Sequence, residues 1–349
     1  MKTALVVEKN MQNQSDFKIL SLSGGGYRGL YTAEVLKELE NNLKAKNTND
    51  CIANYFNLIT GTSIGGIVAL ALAYEIPAEK IAKIFDDKGE EIFKKQSCIG
   101  MFKAKYNSDI LKDILVDWFG DALIGDLKHP VAIPSINYTT GSPVVFKTPH
   151  HKGFKRDWRQ KIVDVALATS AAPTYFKRHR IGNSEYIDGG LFANNPSLIG
   201  LHEADKFFEC SMKEVKILSI GTLSSKKTIN PNANKKGGLT DWGEGKFWEA
   251  AQNIMDITLS SQQLFLDQIV RHRIGNNLVV IDNILTESSS SYVGLDKATD
   301  SAKEILKGNA EESSKVALGK TEVLEFFDEI AIPPVFYKDS YKDQNAALN

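Results

Sequence analysis

Apolar positions follow two alternating periods along the first two thirds of the chain. Lys18 to Ser23 (KILSLS) is a short apolar, β-tolerant run that stops at Gly24-Gly25-Gly26, and Leu30, Leu36, Leu39 and Leu43 then recur one or two helical turns apart. That pattern predicts a strand, a glycine turn and a helix. The same order returns at Phe56 to Thr60 (FNLIT), followed by Gly61-Thr62-Ser63-Ile64-Gly65-Gly66 and an apolar helix from near Ile67. Further strands are expected at Val131 to Ile136, Val144 to Lys147, Glu185 to Ile187 and Val215 to Ile220. Helices such as Ser108 to Trp118 and Trp158 to Ala168 fall between them. Strands alternating with helices predict an α/β fold around a mostly parallel central sheet.

Beyond Gly221 the texture changes. Ser224 to Gly245 is rich in Gly, Asn, Lys and Ser and has no apolar period, which predicts a long loop. A helix from about Lys246 to Arg271, a strand at Asn277 to Asp282, a linker at Ser288 to Ser291 and two charged amphipathic helices ending near Ile330 are expected after it. The chain therefore divides into an N-terminal segment (1–17), a core (18–222) and a mainly helical C-terminal extension packed on that core (223–349).

Composition narrows the classes. With 349 residues, the chain fits one to two domains and can bury about 75% of its unfolded surface. The 42 Lys+Arg against 43 Asp+Glu leave a net charge of -1, without the broad positive field that a nucleic-acid polymer would need. Cys51, Cys98 and Cys210 are three and far apart, so no disulfide framework or CxxC site is expected, and a cytoplasmic setting fits. The apolar run Ala4 to Val7 is too short for a signal-peptide core. The longer one, Ile64 to Tyr74, falls well short of the ~20 residues of a membrane span.

Three glycine-containing motifs are candidates for chemistry. Gly61-Thr62-Ser63-Ile64-Gly65 fits G-x-S-x-G between a strand and a helix, where small flanking residues allow a tight turn that lifts a nucleophilic Ser63 hydroxyl above the sheet edge. The alternative is a glycine-rich turn with an incidental serine. A serine needs a base to take its proton. An α/β-hydrolase order would offer His202 or His272 as that base. The serine, however, comes on only the second strand, and His202 lies within an ordinary helical pattern. Asp188-Gly189-Gly190 closes a predicted strand and reads either as a turn or as a carboxylate placed to deprotonate the serine directly.

Gly24-Gly25-Gly26-Tyr27-Arg28-Gly29 fits G-x-G-x-x-G, the dinucleotide fingerprint of a Rossmann-like nucleotide-binding protein. That reading expects an acid at the end of the second strand, where Thr60 and the Gly-Thr-Ser turn stand instead. The same glycine amides at a helix N-terminus also suit an oxyanion hole. Other patterns fail: His202-Glu203 is followed by Lys206 where a zincin needs histidine, and Ser314 stands where a P-loop ending in Gly319-Lys320-Thr321 needs glycine. No metal and no cofactor are expected.

The order GGGYRG, GTSIGG, DGG resembles the patatin-like phospholipase family from about Lys18 to Thr222. Tyr106 to Leu127 and Ser170-Ala171-Ala172-Pro173 with Phe176 are secondary echoes. The resemblance implies a three-layer patatin-like fold and a Ser-Asp dyad that cleaves fatty-acyl esters of phospholipids at a membrane surface. In it Ser63 is the nucleophile and Asp188 the base. Gly24, Gly25, Gly26, Arg28 and Gly29 form the oxyanion loop, with Gly25 and Gly26 supplying the amides and Arg28 supporting the loop or a lipid phosphate. Gly61 and Gly65 shape the turn, and Gly189 and Gly190 flank the aspartate.

Size, cytoplasmic character and the C-terminal extension are similar to those of bacterial phospholipase effectors of antiphage signalling switched on by cyclic nucleotides. That implies a cyclic di- or trinucleotide activator, for which Lys226, Lys227, Lys235 and Lys236 are candidate contacts or simply solvated side chains, and it leaves room for a homo-oligomer. Membrane contact is expected from Ile92 to Lys95 and Ile99 to Tyr106, a mixture of apolar, aromatic and lysine residues that also reads as a partly buried connection.

Overall fold

The computed structural model describes residues 16–46, 51–96, 104–223, 238–242 and 250–338. Most of the N-terminal segment, the lysines at 226, 227, 235 and 236, and residues 97–103 of the expected membrane patch lie outside the described residues.

Strand β1 (Phe17–Leu22) is the centre of an eight-stranded sheet and is buried along its whole length. Its side chains alternate between two cores, as a period of two requires. Ile19 faces one core with Leu58, Leu201 and Ile217, while Leu20 and Leu22 face the other. Parallel partners lie on both sides, β2 (Leu58–Gly61) and β7 (Val215–Ile220), in the registers Ile19↔Leu58 and Ile19↔Ile217. Such strands need both faces covered, which accounts for their near-continuous apolar runs.

Helix α1 (Gly29–Ala45) buries Leu30, Leu36, Leu39 and Leu43 on one core. Beside it, α2 (Ile64–Ala73) is buried at all ten positions, which explains its apolar composition without a polar face. Next on this side are α3 (Ala78–Ile92) and α4 (Ser108–Phe119).

At the other end the sheet turns antiparallel around β3 (Val131–Asn137), whose first half pairs with β2 (Ile59↔Val131). Its outer edge carries β4 (Ser142–Lys147), antiparallel. Its second half pairs with β6 (Ser184–Asp188), which runs the opposite way, in the register Ser135↔Asp188. The C-terminal ends of β2 and β6 therefore meet head to head along one edge of β3. A three-residue strand, β5 (His179–Ile181), forms a hairpin with β6 and has too few residues for its alternation to stand out in the sequence. Helix α5 spans Ile162–Thr169, a shorter element than the run from Trp158, because Asp157–Arg159 closes its own 3-10 turn and Lys161 is extended.

The chain after Leu223 continues the same fold. Helix α7 (Ala250–Ile274) packs on α6 (Ser197–Lys206), and β8 (Leu278–Ile281) adds to the sheet parallel to β7. Helix α8 (Asp300–Leu318) lies along α1 and buries Ala302, Leu306, Ala310, Ser314 and Ala317. The second charged helix expected up to Ile330 is only a turn at Thr321–Leu324 followed by a 3-10 turn at Glu325–Phe327. Phe326 and Phe327 are both buried against Phe56, and adjacent residues cannot share one face of an α-helix. Among the described residues no helix is long and apolar enough to cross a membrane.

Leu306 is fully buried, so Leu306→Ala should cost about 2–5 kcal/mol. Because α8 shares its core with the sheet, the loss should appear as a lower midpoint of one cooperative transition. Urea unfolding followed by circular dichroism and tryptophan fluorescence checks this; two separate transitions would contradict it.

Candidate active site

Ser63 occupies the turn between β2 and α2 at φ 56 and ψ -126, a backbone conformation that costs a non-glycine residue about 1–3 kcal/mol. The turn is this sharp because α2 starts directly against the end of β1. A Cβ on Gly65 would lie 2.4 Å from the Leu22 carbonyl oxygen, so only glycine fits there. The strained turn points the hydroxyl away from the sheet and toward the end of β6. Ser63 Oγ donates to Asp188 Oδ2 at 2.6 Å. The other carboxylate oxygen accepts from the Gly190 amide at 2.7 Å.

Asp188 is buried, and the loss of water pushes its pKa up to about 6, with the Ser63 and Gly190 hydrogen bonds pulling the other way. The carboxylate can thus still be ionised near neutral pH and accept a proton. Its backbone is tied to the end of α5 and the turn after it: Asp188 N donates to Ala171 O at 3.1 Å and Gly189 N to Thr169 O at 3.4 Å. Thr169 bridges the two halves of the site. Its hydroxyl accepts from Ser63 N at 3.1 Å and donates to Pro134 O at 2.7 Å.

The glycine loop after β1 forms the facing wall. Gly24 N donates to Asn194 O, Tyr27 N to Leu295 O and Arg28 N to Gly25 O. Gly29 N bonds to the Gly26 and Tyr27 carbonyls. The amides of Gly25 and Gly26 have no acceptor among the described residues, and these two residues line the pocket with Ser63 and Asp188. Of the five positions expected to form the loop, Gly25 and Gly26 are therefore available as donors. Gly24 and Gly29 hold its shape. Arg28 holds it too: its side chain donates to Gly25 O and Leu223 O at 3.4 Å each.

The pocket over Ser63 encloses about 690 Å³ with its mouth. It is walled by apolar side chains, among them Ile67, Phe85, Leu111, Phe176, Met255 and Leu259. None of the six histidines, all among the described residues, lines it. A hydroxyl hydrogen-bonded to a carboxylate, two amides facing it and an apolar channel make up a site able to attack the ester of a long acyl chain.

Residues 20–200 match the family described as Patatin-like phospholipase. The chain belongs to the patatin-like phospholipase family. It is 40% identical over 334 residues to a cGAMP-activated phospholipase of Pseudomonas aeruginosa (strain BWHPSA011 / Pa011), covering 94% of this chain and 96% of that relative. It is 36% identical over 329 residues to a protein of the same description from Escherichia coli (strain TW11681), covering 89% and 92%. A third such relative, from Vibrio cholerae serotype O1 (strain ATCC 39315 / El Tor Inaba N16961), is 38% identical over 321 residues, covering 84% and 88%. This patatin-like phospholipase is thus a lipid ester hydrolase.

Several residues in or behind the pocket carry no signal in the sequence. Thr169 is one residue before the Ser170-Ala171-Ala172-Pro173 segment that did stand out, and its bridging hydroxyl could have been suspected from that position. Asn194, Met255, Leu259 and Leu295 reach the pocket only through tertiary packing. Phe93 follows the second of the two readings of its stretch, a partly buried connection, and not the membrane-facing patch. It lines the pocket and meets the Tyr27, Tyr106 and Phe176 rings edge to face at 5.5–6.2 Å.

Thr169→Val keeps the shape but leaves the Ser63 amide and the Pro134 carbonyl unpaired, so it should cost about 1–3 kcal/mol. It should also slow labelling of Ser63 by a fluorophosphonate, and labelling at the wild-type rate would show that the bridge does not hold the serine.

The Asp188 pKa has two signed consequences. The ionised carboxylate is the form able to take the proton, so ester hydrolysis should fall as the pH drops through about 6. A raised folded pKa means that the fold prefers the protonated acid, and this stability is lost as pH rises through about 6. Asp188→Asn should therefore raise the melting temperature at pH 8, by up to about 3 kcal/mol in stability, with the gain vanishing below pH ~4. Melting curves at both pH values check the sign.

Proposed function

We propose that this phospholipase works through a Ser63–Asp188 dyad and an acyl-enzyme. Asp188 takes the proton of Ser63 as Oγ attacks the carbonyl carbon of a fatty-acyl ester. The Gly25 and Gly26 amides hold the oxyanion. The C–O bond to the lysolipid breaks as Asp188 returns the proton to the leaving oxygen. Water, deprotonated by the same carboxylate, then attacks the acyl-serine, and as the bond to Oγ breaks Asp188 returns that proton to Ser63 and the fatty acid leaves. The 2.6 Å hydrogen bond between Ser63 and Asp188 carries this reading. The apolar wall above them supports a long acyl chain as the part of the substrate recognised.

A cyclic nucleotide acts as activator in the same reading. Three relatives at 36–40% identity, each matched over at least 84% of this chain, are described as cGAMP-activated phospholipases. A phospholipase switched on in this way would work from the cytoplasm on the cell's own membrane, in keeping with the resemblance to antiphage effectors.

Ser63→Ala and Asp188→Asn should each lower fatty-acid release from phospholipid vesicles by about 10³-fold or more, with the circular dichroism spectrum unchanged. Near-normal turnover in either variant would rule out the dyad. A fluorophosphonate should label wild-type Ser63 stoichiometrically, and cGAMP should raise vesicle hydrolysis. A rate indifferent to cGAMP would remove the activator and leave the hydrolase.

A further inference from the structure

The segment between β8 and α8 passes directly over the glycine loop. Tyr27 N donates to Leu295 O at 2.8 Å. That carbonyl fills the space beside Gly26, where a Cβ would lie 2.0 Å from it and where φ is +58°. Leu295 is itself part of the pocket wall. The path of the chain through Gly25 and Gly26 is thus set jointly by its own sequence and by this strap.

The strap is pinned one residue further on. The Asp296 carboxylate, only 8% exposed, forms an ion pair with Lys105 and accepts from the Tyr106 hydroxyl at 2.5 Å. Burial and the Asp296 contact hold the Tyr106 phenol far above its ordinary pKa, so it remains a donor. Tyr106 in turn packs behind the active site's wall. Tyr106 N donates to Tyr175 O, the two rings stack at 6.1 Å, and Tyr175 and Phe176 line the pocket over Ser63.

Lys105 and Asp296 also face a second cavity, about 1230 Å³ with its mouth, shared with Phe93, Lys95, Asn253, Lys297, Ala298 and Thr299. Six of these eight residues are polar or charged. Lys95 and Lys297 make no ion pair among the described residues, so the one carboxylate, already matched by Lys105, leaves an excess of positive charge. Thr299 caps α8, bringing the N-terminus of a 19-residue helix to the same wall. Cations on three separate elements suit a ligand with two separated phosphodiesters better than a single headgroup.

We propose that this second cavity binds a cyclic dinucleotide, whose phosphates draw Lys105 away from Asp296 and so release the strap from the glycine loop. The proposal rests on the reading of the chain as a cyclic-nucleotide-activated phospholipase and assigns that activator a place. The ligand favours the released state because in the pinned state Lys105 is committed to Asp296, and only such a difference in affinity can shift the equilibrium. Phe93, common to both cavities, lets a change on one side reach the other through packing.

Calorimetric titration of the full chain with cGAMP in the absence of lipid tests the site. Lys95→Ala with Lys297→Ala should weaken binding by about tenfold or more. Asp296→Asn, which removes the pinning charge, should raise the rate of fluorophosphonate labelling of Ser63 without nucleotide by about tenfold or more. Tyr106→Phe, which keeps the ring, should raise it less. Melting curves confirm that each variant is folded.

Wild-type affinity for cGAMP in the double lysine variant would overturn the proposal, as would unstimulated labelling at the wild-type rate in both Asp296→Asn and Tyr106→Phe. If the lysine variant keeps its affinity for cGAMP and instead needs more phospholipid for half-maximal rate, the cavity is a headgroup subsite and the proposal is overturned as well. A wild-type chain that binds no cGAMP would instead defeat the reading beneath it, a result distinct from all of these.

Discussion

The hydrogen bond between Ser63 and Asp188 joins residues 125 positions apart, and the architecture of one sheet edge exists around it. Two strands of opposite direction, β2 and β6, share a single edge of β3, so that their C-terminal ends converge rather than run past each other. A fully parallel sheet could not do this, because strand ends then lie side by side along one rim. The antiparallel end of the sheet is thus a condition for the meeting of the two side chains. Thr169 and Ser135 lock the junction, the single hydroxyl proton of the latter shared between Ile187 O at 2.9 Å and Ala168 O at 3.2 Å.

The same junction concentrates cost. Ser63 is held in an unfavourable backbone conformation, and Asp188 is a carboxylate taken out of water. Neither would persist in a loosely packed region. The rigidity that tolerates them comes from α2, buried on every side, and from the two-sided core around β1. Stability stored in the centre of the fold is in this sense what keeps a strained serine and a desolvated acid together.

The C-terminal third has a different relation to the site. It adds a strand to the sheet, but it also supplies Met255, Leu259 and Leu295 to the pocket, and Gln262 holds the amide of Asn194 at 2.9 Å. The carbonyl of Asn194 in turn fixes Gly24. The glycine loop is thus bracketed from one side by α7 and from the other by the strap at Leu295. Elements far from the serine in sequence therefore control the geometry of the Gly25 and Gly26 amides that face it, an arrangement suited to regulation.

Local chemistry was legible in the sequence wherever it depends on neighbours in the chain. Ser63 between Gly61 and Gly65, the glycines after β1, and Asp188 before Gly189-Gly190 declare tight turns at strand ends, because only small residues permit them. The periods of two and about 3.6 likewise declare β1, β2, α1 and the buried α2. No local pattern says which strand ends meet, that Asn194 takes the Gly24 amide, or that Leu295 closes on Gly26. No local pattern decides the side on which Phe93 lies either: its aromatic and lysine neighbours read equally as a surface or as a partly buried connection, and three rings brought from elsewhere in the chain make it a wall. The sequence by itself determined the turns and the reactive groups they present. The tertiary structure alone decided their distances, the burial that shifts Asp188 and the strap over the glycine loop, because those depend on contacts between segments whose separation along the chain carries no periodic signal.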